Sequence, residues 1–492
     1  MGSAASLGGE TGVRGMLARV SPNWLALVGS LILSWVAIAS GDIVGRDGAF
    51  YLDIAQHASE QGAHAALGMF DWPWYAILLG ATHKLLHLSV EHCAYLWSVV
   101  FLAGTSVLMV DAVRQRYPQV AGWACLVMLA MPAVNQFRYD IIRESGFWCF
   151  CMLALWLAMR WHARGGWAGA AAIHLAIGVA ALFRLEAVVL LVALSAWQLP
   201  NLFRAGHRRA FWQFFCLPLL VLLPALGVLV PRIDWHSGRV AYLLALTEPQ
   251  RVFASFNRLA DQFGASLVNK YSVDEAGRIV FFGLLASLLI KFVNLMGPFA
   301  LPFLWPRAWQ AWRTYWREFR PFAWGALLYF VVMMLFFVNA QFMNGRYLSF
   351  LDLLVVPLLA LALSQFATHF PRLGKAVVAI GVLVMISNVV SLGTPKTHYI
   401  AAGHWLAEHV DAQAPVYYED GRIAWYAGRG YPQPTLPRET AMAPGSAAQY
   451  RYFVVEGTPD EPWLQSWMRD HGQRVLAQFA NRKGKTITVL GP

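Results

Sequence analysis

Asp47 lies in the run Gly45-Arg46-Asp47-Gly48-Ala49-Phe50-Tyr51, a few residues after the first long apolar stretch of the chain. A carboxylate in such a place can act as a general base toward a hydroxyl, or as a metal ligand if partners join it. The plainer reading is a helix N-terminal carboxylate, stabilising a helix expected to start near Ala49. Asp42 and Asp53 share the segment and compete for any role, although Asp53 does not stack on the face that carries Asp47.

Arg138, Asp140, Arg143 and Glu144 form a second group. Asp140 precedes Arg143 and Glu144 by three and four positions, so a continuous helix would put them on one face. That arrangement suits a salt-bridged cap, or a mixed site in which an arginine grips an anion bidentately. Arg184-Leu185-Glu186 places two opposite charges between apolar runs with almost no loop, as an interfacial pair or as the lining of a cavity. Lys291 sits within the apolar run 281–305, where it can snorkel or hold a lipid phosphate. Arg346-Tyr347 opens a late apolar run in which Asp352 is a ready partner for Arg346. Trp72-Pro73-Trp74-Tyr75 reads either as an interfacial aromatic belt or as a stacking platform for a sugar ring.

The elements that carry these residues are predominantly apolar. The 492-residue chain is 58% hydrophobic and only 13% charged, with a mean hydropathy of +0.48. A soluble chain carries about 25% charge. Apolar spans are expected near 23–40, 92–110, 120–135, 145–160, 167–183, 186–200, 213–230, 283–305, 322–339, 347–366 and 375–391, about eleven in all. The first could pass for a signal peptide, but it is expected to be retained as a span. The net charge of +11 does not signal nucleic acid, because the basic residues cluster in short loops between spans. One alternating set of loops is almost purely basic and the other mixes both signs. By the positive-inside rule the N-terminus is cytoplasmic and an odd number of crossings leaves the C-terminus outside. Five cysteines (Cys93, Cys125, Cys149, Cys151 and Cys216) lie in or beside apolar runs, without the spacing of a disulfide framework or metal site.

The expected domains are a membrane part, 1–391, with large outer loops at 41–91 and 231–280, and a soluble α/β part, 392–492. The latter has strand candidates at 415–418, 452–455 and 486–490, and helix patterns near 397–410 and 460–471.

In their order these motifs resemble the GT-C superfamily of polyprenyl-phosphate-sugar-dependent glycosyltransferases, in the family 39-like branch of protein mannosyltransferases and aminoarabinose transferases. The acidic opening of the first outer loop continues through Tyr51-Leu52-Asp53. Trp72-Pro73-Trp74-Tyr75, Asp140-Ile141-Ile142-Arg143-Glu144, Arg184-Leu185-Glu186 and Arg346-Tyr347-Leu348 follow in turn. The run Gly421-Arg422-Ile423-Ala424-Trp425-Tyr426 is similar to a segment of soluble C-terminal domains in bacterial members. One departure is Gly48 beside Asp47, where many relatives carry a second acid; this weakens the case for a tightly held metal.

The resemblance implies a polytopic α-helical membrane enzyme of the bacterial inner membrane, with its C-terminal α/β domain in the periplasm. It implies a donor sugar on undecaprenyl or a related polyprenyl phosphate, and an acceptor lipid, glycan or protein of the cell envelope. Asp47, with Asp140, would be catalytic. Arg138, Arg143, Arg184, Lys291 and Arg346 would hold the donor phosphate. Tyr51, Trp72, Trp74, Tyr75, Glu186 and Tyr347 would line the substrate. A divalent metal is not required, and its use stays open. Two other classes compete: a transporter or flippase for lipid-linked sugars, and a non-catalytic subunit of polysaccharide assembly. A transporter would carry paired interrupted helices with ionisable groups near the midplane, whereas here the charges gather beside the outer loops.

Overall fold

The computed structural model describes residues 21–204, 206–229, 238, 241, 248–432 and 436–492. Much of the first half of the expected loop 231–280, with Arg232, lies outside the described residues, as do Arg14 and Arg19. The protein is a polytopic α-helical membrane protein with a small mixed sheet near its C-terminus. Seven helices among the described residues are long and apolar enough to cross a membrane. Shorter apolar helices occupy Pro118–Ala130 and Trp167–Phe183.

By its internal contacts the chain divides into two compact units. One comprises the chain up to Val36, Trp97–Arg138 and Arg143–Val389. The other comprises Ala37–Leu96, Tyr139–Ile142 and Val390–Pro492.

In the helical unit the helix Gly345–His369 is the axis. The share of its apolar window buried inside the protein is 89%, against 17–22% for the most peripheral spans of the unit, which present apolar sides outward. It packs on helices Ala121–Ala130, Ala276–Met296 and Arg320–Ala340. A helix that is hydrophobic all round belongs in such a place. Its Asp352 is fully buried, and neither carboxylate oxygen has a hydrogen-bond partner among the described residues. The expected pairing of Asp352 with Arg346 is therefore not formed.

Two expected spans are broken where the sequence breaks them. The stretch 120–135 stops as an α-helix at Ala130, because Met131 precedes Pro132 and is held extended at φ −70°, ψ 132°. The helix Ala276–Met296 ends at Gly297, whose φ of 61° only glycine adopts cheaply, and 3-10 turns with Pro298 and Pro302 follow.

The second unit holds a four-stranded sheet. Its strands are β1 (Val416–Tyr418), β2 (Tyr452–Glu456), β3 (Arg474–Ala480) and β4 (Thr486–Gly491), in the order β1-β2-β4-β3. β1 runs parallel to β2, while β4 is antiparallel to both of its neighbours. The period of two divides the core. Val454, Ile487 and Val489 face the helix His398–His409 through Tyr399, Ala402 and Leu406. Phe453, Val455 and Leu490 face Leu464 of the helix Pro462–His471. β3 escaped the sequence reading because it is a bulged edge strand with Val475 37% exposed, so its apolar pattern is weak.

Candidate functional site

Asp47, Asp53 and Asp140 fall in the sheet-containing unit. Helix Arg46–Gln61 carries Asp47 in its first turn, so the stabilising helix-terminal role is realised there. Its N-cap, Gly45, supplies no side chain, and the entry to the helix is fixed from elsewhere in the unit. The Val44 amide donates to the Tyr426 hydroxyl at 2.9 Å. The Arg46 Nε donates to Asp420 Oδ2 at 2.9 Å. Asp420 is buried and also caps the short helix Gly421–Tyr426, accepting from the Arg422 amide at 3.0 Å and from its guanidinium at 2.9 and 2.7 Å. Burial alone would raise the Asp420 pKa. The Arg422 hydrogen bonds and charge outweigh it and hold this carboxyl below its ordinary value. The run 420–426 is thus the clamp on the helix that presents Asp47, a link that no local pattern reveals.

Asp47 is half-buried. It lies close enough to Tyr431 to help raise that phenol's pKa, after burial and Asp420. Asp140 comes to the same segment. Its Oδ1 lies 3.9 Å from where a Cβ on Gly45 would stand. The expected helical face shared by Asp140, Arg143 and Glu144 does not exist: residues 138–140 form a bend, and the helix starts only at Glu144.

Asp53 is a different matter. It is buried beneath Gly430, with the Tyr431 backbone and His57 beside it, and burial raises its pKa. It is an internal group. Gly430 has φ 73°, and an added Cβ would stand 3.0 Å from Asp53 Oδ1. Gly430→Ala should therefore cost about 1–2 kcal/mol for the left-handed backbone alone, read as a lowered midpoint in thermal or denaturant unfolding. An unchanged midpoint would show that alanine meets no backbone cost at this position.

Of the aromatic residues assigned to substrate lining, Tyr51 and Tyr75 are buried. They are 7% and 1% exposed and meet edge to face at 5.5 Å between ring centres, with Phe70 beside Tyr51. They are the core between the helices Arg46–Gln61 and Trp74–Leu86, where their burial offsets the cost of ordering that segment. Trp72 is half-buried and Trp74 is 39% exposed, so these two remain available to a ligand.

The cations sort themselves within the helical unit. Helix Trp167–Phe183 ends at Arg184, whose extended backbone (φ −147°, ψ 124°) turns the chain into the next span. The Arg184 guanidinium donates to Glu144 Oε1 at 2.6 Å and to both oxygens of Glu186 at 2.5 and 3.3 Å. It also lies 4.5 Å above the centre of the Tyr347 ring. The Arg346 Nε stands 3.4 Å from the same Glu144 oxygen, and its guanidinium is 5.4 Å from the Tyr347 ring. Arg143 interacts electrostatically with Glu144 and Glu186. Three guanidinium groups thus meet two carboxylates, leaving one net positive charge. Tyr329 donates its hydroxyl to the Tyr347 carbonyl, and Phe350 and Phe147 pack beside it as an apolar floor. Gly146 allows this close arrangement, since a Cβ there would fall 2.3 Å from the Phe183 ring.

Arg346 keeps the most exposure of the paired cluster, 20% against 5% for Arg184 and 4% for Glu144. Its position is set by Asn344, which caps the central helix by accepting from the Arg346 amide at 3.1 Å. Lys291 does not join the cluster directly. Its ammonium donates to the Met343 carbonyl, bracing the chain just before that cap.

Arg138 stands in a different setting. It is fully buried, donating to Asn135 at 2.6 Å and to the Ser30 and Ser34 hydroxyls at 3.1 and 2.9 Å. It ties the first span to the segment after Pro132 and offers no surface to a phosphate. Tyr329, Asn344 and Asp420 were missed by sequence reasoning. Only Tyr329 left a signal, as a hydroxyl inside an apolar span. Among the described residues, no group of three or more His, Cys, Asp or Glu side chains is placed to hold a metal ion.

No family model matches the chain, and no curated protein matches it. Among solved structures it is similar to the arabinofuranosyltransferase AftD from Mycobacteria, at 15% identity and a TM-score of 0.48 over 96% of this chain. A mutant form of AftD gives 16% identity and the same TM-score. The chain spans 40–42% of the length of those two chains.

Proposed function

We propose that this protein is an inverting glycosyltransferase of the GT-C type, family 39-like, which transfers a sugar from a polyprenyl-phosphate donor to a cell-envelope acceptor. The observation that carries this reading is the buried, net-positive cluster of Arg143, Arg184 and Arg346 around Glu144. Glu144 and Glu186 hold Arg184 in place, while Arg346 is left as the accessible guanidinium. A guanidinium held this way binds a phosphate bidentately with little reorganisation. Lys291 acts through the 343–344 turn to fix Arg346.

In the proposed reaction the acceptor hydroxyl attacks the anomeric carbon and its proton passes to Asp47. The bond from that carbon to the phosphate oxygen breaks, and its electron pair leaves with the polyprenyl phosphate. Configuration at the anomeric carbon inverts. The arginines stabilise the charge that grows on the leaving phosphate. Asp140 supports Asp47 at the Gly45 turn, and Trp72 and Trp74 contact the sugar. No step is assigned to a metal.

The test is release of polyprenyl phosphate by the purified protein from a panel of polyprenyl-phosphate sugars in the presence of envelope extracts. Transfer with one donor, reduced at least tenfold in Arg346→Gln with donor affinity weakened, is the expected result. Transport of an intact donor across vesicles, without release of polyprenyl phosphate, would overturn the enzymatic reading.

The proposal also places about eleven spans in the bacterial inner membrane, with the N-terminus cytoplasmic and the sheet in the periplasm. A cysteine at the exposed Gln449 should then react with an impermeant maleimide once the outer membrane is opened. Reaction only after the inner membrane is lysed would reverse the orientation.

A further inference from the structure

The sheet-containing unit has a cavity of about 650 Å³ that the reaction above does not use. Its size falls in the range of small-molecule sites, roughly 300–1,000 Å³. Arg46, Lys396, Arg422 and Lys485 line it, against Glu456 and Glu461. Both oxygens of Glu461 are engaged, and one oxygen of Glu456. Glu456 accepts from the Tyr399 hydroxyl at 2.8 Å. Glu461 accepts from the Thr458 amide at 2.8 Å and from the Trp463 indole at 2.6 Å. Arg46 and Arg422 are committed to Asp420 behind the wall.

Lys396 and Lys485 are not committed. Both are exposed, and neither has an ion-pair partner among the described residues. His398, only 5% exposed, also lines the cavity, and its Nδ1 has no hydrogen-bond partner among the described residues. A buried polar atom left unpaired costs about 1–3 kcal/mol unless a partner arrives. Burial, helped by Lys396, Arg422 and Lys485, lowers the His398 pKa in spite of Glu456, so at neutral pH the ring is an uncharged hydrogen-bonding group.

Two free ammonium groups call for an anion. A neutral imidazole and a carboxylate alongside them do not suit a bare anion, which Glu456 would repel. They suit hydroxyl groups. We propose that this cavity binds an anionic saccharide unit, a sugar ring bearing a carboxylate or a phosphate, with the anion on Lys396 and Lys485 and ring hydroxyls on His398 and Glu456. Arg46 in its wall directly precedes Asp47, so under the glycosyltransferase reading this unit belongs to the acceptor; that assignment rests on the reading, whereas the binding does not.

The experiment is calorimetric titration of the full-length protein in nanodiscs with galacturonate, glucose 6-phosphate, glucose and inorganic phosphate. Saturable binding of at least one anionic sugar is expected, at least tenfold tighter than glucose or inorganic phosphate. The double variant Lys396→Gln/Lys485→Gln should lose that binding at least tenfold with an unchanged melting temperature, since both side chains are exposed and unpaired. His398→Ala should weaken the anionic sugar more than inorganic phosphate. Absence of saturable binding, equal affinity for inorganic phosphate, or an unaffected double variant overturns the proposal. Binding that persists in a protein showing no transfer supports this site and defeats the glycosyltransferase reading. Normal transfer without any such binding does the reverse.

Discussion

Asp47→Asn is expected to reduce sugar transfer by a factor of about 10²–10⁴, the range supplied by a positioned general base. The substitution keeps the shape of the side chain and removes its charge, and with it the capacity to take a proton. The helix that presents it is held by Val44 on Tyr426 and by Arg46 on Asp420, and neither contact uses the Asp47 carboxylate. The helix should therefore stay in place, with the lost helix-terminal charge costing about 0.3–1 kcal/mol. Donor binding should survive, because the arginines and not Asp47 are assigned to the phosphate. The measurement is a single-turnover assay beside an unfolding curve. Transfer near the wild-type rate in a folded Asp47→Asn protein would remove the assignment, and Asp140 would be the next carboxylate to test. Asp53→Asn should be milder in transfer, since Asp53 is enclosed beneath Gly430.

Arg184→Ala has the largest expected effect on stability. Arg184 is 5% exposed and is the shared partner of Glu144 and Glu186. Its removal would leave Glu144, 4% exposed, with its 2.6 Å partner gone and only the longer contact to Arg346 and the charge of Arg143 beside it. Breaking a buried ion pair from one side costs about 3–5 kcal/mol, a large part of the 5–15 kcal/mol that holds a typical domain. The variant should express poorly, or unfold well below the wild type in a detergent melt. Arg184→Lys should recover part of the loss, because an ammonium restores the charge but not the fork that meets both oxygens of Glu186. The triple change Arg184→Met/Glu144→Leu/Glu186→Leu should be more stable than Arg184→Ala and still inactive. A wild-type melting point for Arg184→Ala would mean that the cluster is hydrated and only loosely coupled.

These two residues also mark what could be read from the sequence. Asp47 and the Arg184-Leu185-Glu186 turn stood out because charge is expensive next to apolar runs, so a charged residue there needs a partner or a task. The membrane architecture was legible for the same reason, and three strands of the small sheet showed as short apolar runs. What was hidden depends on partners far away in sequence. Glu144 gains its place from an arginine 40 positions later. Arg138 resembled its neighbours in a charged loop, and only its hydroxyl partners on the first span, more than 100 positions earlier, reveal it as an internal tie. Tyr51 and Tyr75 looked like ligand-facing aromatics because sequence shows ring chemistry but not which ring is covered. The helix face shared by Asp140 and Glu144 failed because the chain bends where three-and-four spacing assumes it does not.

The clamp on the Asp47 helix has a consequence for the birth of the protein. Val44 and Tyr426 stand 382 positions apart, and Arg46 and Asp420 stand 374 apart. At about 5–20 residues per second of synthesis, the helix Arg46–Gln61 waits roughly 20–80 s for the segment that secures it. During that interval the ribosome is delivering the spans between them. The helix and its aromatic core of Tyr51, Phe70 and Tyr75 must persist alone, or be shielded by a chaperone, until Asp420 and Tyr426 emerge. Closure of so long a loop comes late and slowly. A ribosome stalled before residue 420 would thus leave a membrane-inserted chain whose Asp47 helix lacks its fastening, a natural target for quality-control proteolysis.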